Sequence, residues 1–144
     1  MKPLIPFAFL LALSFSGLAQ AEDHSKDEKA AVKAAVKAAE KWLEIVDEGK
    51  YADSWDGTAQ FFQGNMTKEA WDAALKGVLP PLGKMKSREL VGSRFLKRMP
   101  GAPEGEYVTI QFKTSFENKT DAVETVTPQK DEKGKWHVCG YFIK

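Results

Sequence analysis

The 144-residue sequence has one cysteine, Cys139, and two histidines, His24 and His137. A lone thiol forms no internal disulfide, so the fold depends on its core, and the thiol itself reads as a small buried hydrophobe. His137 and Cys139 stand two apart on one strand, with side chains about 7 Å apart, too far for a thiolate–imidazole pair. With only His24 to add, they fall short of the three or four ligands of a zinc centre, so no metal is expected. No glycine-rich phosphate loop, nucleophile elbow or paired-cysteine motif is present, and neither a catalytic set nor a cofactor is assigned. Net charge is lacking too: 21 Lys and Arg against 20 Asp and Glu leave +1. That balance excludes the electrostatic footprint of a nucleic-acid binder or of a protein lying on an anionic membrane.

Long apolar runs are confined to the start. Met1-Lys2 is followed by an apolar stretch from Leu4 to Leu18 and then Ala19-Gln20-Ala21. A positive start, an apolar centre and a small-x-small site, in that order, are a secretory signal peptide, with cleavage placed between Ala21 and Glu22. A spanning helix needs about 20 apolar residues, and this run carries Pro6, Ser14, Ser16 and Gly17. The domain reading is therefore 1–21 as a cleavable signal and 22–144 as one domain. Removing 21 of 144 residues leaves 123, enough chain for one real core. Lys2 is the only charge removed, so the mature chain is neutral, periplasmic or secreted, with no membrane contact expected.

Periodicity then divides the chain. Val32, Val36, Ala39, Leu43 and Val46 recur at helical spacing and predict a helix from Asp27 to Glu48, ended by Gly49. Lys29, Lys33, Lys37 and Lys41 form a second stripe, read as a solvated face. A second helix is predicted from Tyr51 to Phe62, although Gly57 inside it costs about 1 kcal/mol. A third begins at Thr67, a good N-cap, carries Trp71, Ala74, Leu75 and Val78 on one face, and stops at Pro80-Pro81. Four strands follow, at Ser87–Met99, Glu106–Glu117, Thr120–Gln129 and Lys135–Ile143. In the second, Val108, Ile110, Phe112 and Phe116 alternate with Thr109, Gln111, Lys113 and Ser115, giving one covered and one wet face. Short turns make the strands an antiparallel meander. Helices first and strands afterwards predict an α+β fold with three helices on one face of a curved four-stranded sheet.

That element order is similar to the nuclear transport factor 2-like (cystatin-like) and ketosteroid isomerase-like cones. At residue level the chain resembles a family of exported bacterial proteins, domain of unknown function 4019. The residues that carry the resemblance are Trp42-Leu43, Gly49-x-Tyr51, Ser54-Trp55-Asp56, Thr67-Lys68-x-x-Trp71 and Pro81-Leu82-Gly83. Further on come Gly101-Ala102-Pro103-x-Gly105-Glu106-Tyr107-Val108, Thr114-x-Phe116-x-Asn118-Lys119, Val123-Glu124-Thr125-Val126, Gly134-x-Trp136 and Gly140-Tyr141-Phe142. The resemblance implies a compartment and a fold, and no activity. His137 and Cys139 stand where the family's usual ending is basic and small.

Among single residues Glu124 matters most. If Ala122, Glu124 and Val126 face the helices, a carboxylate lies inside the cone, where it must be paired or protonated. A lysine or arginine such as Arg94 would pair it; ketosteroid isomerase-like domains instead use such an acid as a general base. Trp55, Tyr107, Glu124 and Tyr141 are the ligand-pocket candidates, set against the plainer reading that large aromatics fill a core. Three functional classes stay open. One is a non-enzymatic module that binds a small apolar ligand or a protein partner. A second is a small isomerase- or dehydratase-like enzyme using Glu124. The third is a self-associating protein, a homodimer through the open sheet face at Thr109, Gln111 and Lys113, with the Ala/Lys-rich first helix as a further surface. The first is favoured by the absence of a second catalytic group.

Overall fold

The computed structural model describes residues 26–144; the signal segment read in residues 1–21 lies outside the described residues. Four helices precede four strands: α1 (Lys26–Asp47), α2 (Tyr51–Asp56), α3 (Gln60–Asn65), α4 (Lys68–Val78), a 3-10 turn (Pro80–Leu82), then β1 (Met85–Leu96), β2 (Tyr107–Phe116), β3 (Lys119–Lys130) and β4 (Trp136–Ile143). The strands form one antiparallel sheet in the order β1-β2-β3-β4. The chain is thus α+β, with the helices against one face of an open meander. Among the described residues no helix is long and apolar enough to cross a membrane.

α1 turns Ala35, Ala39, Trp42, Leu43 and Val46 into the core, leaving Val32 and Val36 half-buried at its edge. Its end is a Schellman motif: Gly49 N–H bonds the Val46 carbonyl and Lys50 N–H the Ile45 carbonyl, with Gly49 at φ 76°. Thr67 caps α4 by accepting from the Ala70 amide at 3.1 Å. Within α4 only Trp71 and Leu75 are buried. Val78 is 50% exposed and Leu79 takes the inward position, because Leu79 is still helical and continues the i,i+4 row of Trp71 and Leu75.

The expected helix Tyr51–Phe62 is two short helices. They part at Gly57-Thr58-Ala59, where Thr58 bridges Val138 and the Ala59 amide donates to the Val138 carbonyl at 2.8 Å. Pairing with the outer edge of β4 outcompetes helix propagation. Gly57 also lets α1 come close, since a Cβ there would stand 3.3 Å from Trp42 Cδ1.

On β2, Val108, Ile110, Phe112, Thr114 and Phe116 face the helices and are buried. The opposite face is less wet than its composition implies, because Thr109 is also buried. β1 begins at Met85 and ends at Leu96, three residues short of the expected Met99. It carries an irregularity between Leu90 and Gly92. There Leu90 opposes Phe112 and Gly92 opposes Gln111, so the extra residue Val91 inverts which positions face the helices.

The crossover into β1 is clamped to the β2–β3 turn. Asn118 N–H bonds the Leu82 carbonyl, Glu117 N–H the Lys84 carbonyl, and the Glu117 carboxylate accepts from the Lys84 amide at 2.7 Å. Gly83 makes this possible: φ is +77° and a Cβ would lie 2.7 Å from Glu117 Cβ. Gly77, inside α4, has nothing within 4 Å of that position. Gly83→Ala should lower stability by about 2 kcal/mol, whereas Gly77→Ala should raise it by roughly 0.5–1 kcal/mol. Urea unfolding midpoints of the two variants check both signs.

Candidate functional site

Glu124 is fully buried, on the helix-facing side of β3, together with Ala122 and Val126. Its two oxygens are taken by three donors. Arg88 Nε reaches Oε1 at 2.8 Å and Thr114 Oγ1 donates to the same oxygen at 2.5 Å. The Tyr141 hydroxyl donates to Oε2 in a short bond. Arg88 also forks onto Asp47, with Nη1 to Oδ2 at 2.7 Å and Nη2 to Oδ1 at 2.9 Å. One connected cluster therefore takes a side chain from each of the four strands and from the last residue of α1. Tyr141 in turn lies edge-on to Trp42, with ring centroids 5.2 Å apart.

The electrostatics follow from that packing. Burial opposes the charge on Arg88, and its hydrogen bonds to Asp47 and Glu124 outweigh the burial, so its pKa is raised. Burial, then the neighbouring Glu124 carboxylate, pushes the Tyr141 phenol well above its usual range. The acid thus meets a permanent cation and a phenol that keeps its proton, and all three guanidinium nitrogens of Arg88 donate to a carboxylate.

A second polar hub stands nearby. Ser54 is buried, and its Oγ accepts from Trp71 Nε1 at 2.9 Å while donating to the Tyr51 carbonyl. The Ser54 carbonyl accepts from Trp42 Nε1 at 2.8 Å. Two indole N–H groups are thereby satisfied inside the core.

The four sequence candidates separate. Glu124 and Tyr141 touch. Trp55 sits half-buried beside the core, its Nε1 donating to the Met66 carbonyl at 2.7 Å. Tyr107 is buried on the other side of the sheet, where its hydroxyl donates to the Pro103 carbonyl at 2.5 Å and accepts from Gln129 Nε2 at 3.2 Å. Arg94 opposes Thr109 on that same outer side, so the arginine that pairs Glu124 is Arg88. The Val91 bulge accounts for the change, because uninterrupted alternation would put positions 88 and 94 on one face. Arg88, Asp47, Thr114 and Ser54 were missed by sequence reasoning. Asp47 carried a signal, since an acid in the last turn of a helix opposes the helix dipole and calls for a cation.

An open cleft of about 310 Å³ lies at the C-terminal end of α1, between it and the clamped crossover, lined by Val46, Tyr51, Leu79, Met85 and Phe116 with Asp47, Glu48, Lys84 and Glu117. Asp47 thus belongs both to the cleft wall and to the buried cluster. Its three carboxylates have partners: Asp47 has Arg88, Glu48 has Lys50 at 2.8 Å, and Glu117 has the Lys84 amide, while among the described residues the Lys84 ammonium has none.

At the β3–β4 turn, Asp131 holds His137 Nε2 at 2.8 Å and accepts from the amides of Lys133 and Lys135. Burial pushes the Cys139 thiol up to about 12, leaving almost no thiolate at neutral pH. Among the described residues no group of three or more His, Cys, Asp or Glu is placed to hold a metal.

The family described as Protein of unknown function (DUF4019) matches residues 38–141. No curated protein matches the chain.

Removing one member of a buried ion pair strands the other. Glu124→Gln should cost about 3 kcal/mol, and Tyr141→Phe roughly 1–2 kcal/mol, both read from urea unfolding. The pH response has a definite sign. Cys139 and Tyr141 keep their protons in the fold above the pH at which the unfolded chain releases them, so stability falls as pH rises. The Cys139 contribution is whole below its ordinary 9.0 and is lost toward about 12; it should cost about 2 kcal/mol by pH ~10.5. Cys139→Ala should move the onset up to where Tyr141 begins to contribute, near pH ~10, in unfolding curves taken at stepped alkaline pH.

Proposed function

The chain belongs to the DUF4019 family of proteins of unknown function, and we propose that it is an exported, non-enzymatic binding module that takes a small apolar ligand in the cleft beside α1. The observation that carries this reading is the burial of Glu124 with both of its oxygens engaged. A general base needs a free lone pair within reach of substrate, and this carboxylate is fully buried with Arg88, Thr114 and Tyr141 on its oxygens. The isomerase-like alternative therefore rests on an acid that is already occupied. The element order supports a nuclear transport factor 2-like cone: helices on one face of a bulged antiparallel meander, with buried side chains between them. A ligand then has the cleft, whose three carboxylates already have partners, whose one lysine is Lys84 and whose apolar surface is Val46, Tyr51, Leu79, Met85 and Phe116. Such a wall favours apolar contact over an ionic one. The leader in residues 1–21 supports export.

Native mass spectrometry of the protein recovered from the exported fraction tests this directly. The expected result is a chain starting at Glu22 with a retained small-molecule adduct, and loss of that adduct in Met85→Trp, which fills the cleft. A wild-type chain without adduct, or an adduct that survives Met85→Trp, would overturn the assignment of the cleft. Turnover that disappears in a still-folded Glu124→Gln would restore the enzymatic reading.

A further inference from the structure

Beyond Asp27 and Glu28, which suit the start of the helix, the charges on the solvent face of α1 are placed against both rules that stabilise a single helix. Lys29, Lys33, Lys37 and Lys41 follow one another at i,i+4, and so do Glu40, Glu44 and Glu48; all seven are exposed. Like charges at that spacing repel. The lysines occupy the N-terminal two-thirds and the acids the C-terminal third, and the last turn contains no basic residue. That is the reverse of what the helix dipole favours there. Only Lys37–Glu40 and Lys41–Glu44 have an opposite-sign i,i+3 spacing. Among the described residues neither closes to an ion pair, and of the seven only Glu48 has an ionic partner, the exposed Lys50.

We propose that this face docks on the same face of a second copy of the chain, with the two α1 helices antiparallel. A two-fold axis level with the Ala38–Ala39 bond sets Lys37 against Glu40, Lys33 against Glu44 and Lys29 against Glu48 of the second copy, and the symmetry repeats each pair. At 100° per residue these six positions fall within a sector of about 100° on the helix, so one contact engages them together. The arrangement turns the repulsive columns into attractive ones and opposes the two helix dipoles. The exposed Ala30 and Ala34 beside the stripe add no bulk to hold the helices apart. A polyanion would satisfy the lysines and be repelled by the acids; a second copy satisfies both. The inference is independent of the cleft.

Sedimentation equilibrium across concentration and salt, with two charge variants, tests it. The wild type should self-associate at low ionic strength, with the association constant falling roughly tenfold or more as NaCl rises from about 20 to about 500 mM. Lys33→Glu with Lys37→Glu, and separately Glu40→Lys with Glu44→Lys, should each be monomeric. Mixed together they should form a one-to-one heterodimer, and combining all four changes in one chain should restore the homodimer. These side chains are exposed, and an unchanged circular dichroism spectrum checks that the variants fold. A wild type that stays monomeric at about 1 mM and low salt, or self-association that neither variant alters, would overturn the proposal. So would two monomeric variants that fail to combine.

Discussion

A guanidinium held between two carboxylates sets the relation between helix and sheet. Arg88 spans from Asp47, where α1 ends, to Glu124 in the sheet interior. Burying charge is costly, and well-packed apolar residues of equal volume often do as well for stability. What an ionic cluster adds is direction. The fork of Arg88 accepts Asp47 in one orientation only, and Glu124 is satisfied only when β1, β2 and β4 bring Arg88, Thr114 and Tyr141 to it together. A strand shifted by one residue would turn its member of the cluster to the other face. We infer that the cluster specifies strand register and helix position, alongside the crossover clamp on β1 and the Thr58–Ala59 pairing on β4.

The aromatic layer is built against the same frame. Tyr141 holds Glu124 with its hydroxyl and Trp42 with its ring edge, and Trp42 leads on to Trp71 and Phe62. Ser54 satisfies both indoles, which is why so small a residue is wholly buried. Polar cluster and apolar core are continuous, and the interior that could have been a pocket is filled. Open surface beside the core is thereby left at the margins: the cleft where Asp47 surfaces, and the outer face of α1.

The alternation of β2 was enough to read the helices as covering one sheet face, because period-two burial is local information; the face of Glu124 stayed open, because both alternating sets of β3 mix apolar and polar side chains. The Thr67 cap, the proline stop and the meander were legible for the same reason. Three features were not. The Val91 bulge exchanges Arg94 for Arg88, and nothing within β1 marks an extra residue whose effect is to invert the faces. The break at Gly57 looks like a weak helix position until the edge of β4 is there to pair with Thr58 and Ala59. Tyr107 is as aromatic and as buried as a pocket residue, but it sits under the β1–β2 loop on the far side. Each of these depends on a partner distant in sequence, which periodicity does not report.

The partial burial of Cys139 bears on the order of events during folding. A thiol whose pKa is pushed up to about 12 is a poor target for disulfide exchange, because the thiolate is the reactive form. The unfolded chain has no such shelter. In oxidising surroundings, an unfolded chain is in a race between docking β4 on β3 and being captured by another chain's sulfur. A protein with one cysteine has no correct disulfide to isomerise towards, so a capture leaves a mixed product and not a delayed native one. The speed with which the last strand docks therefore sets the yield of monomeric thiol, and the oxidation state of Cys139 records whether a given molecule folded in time.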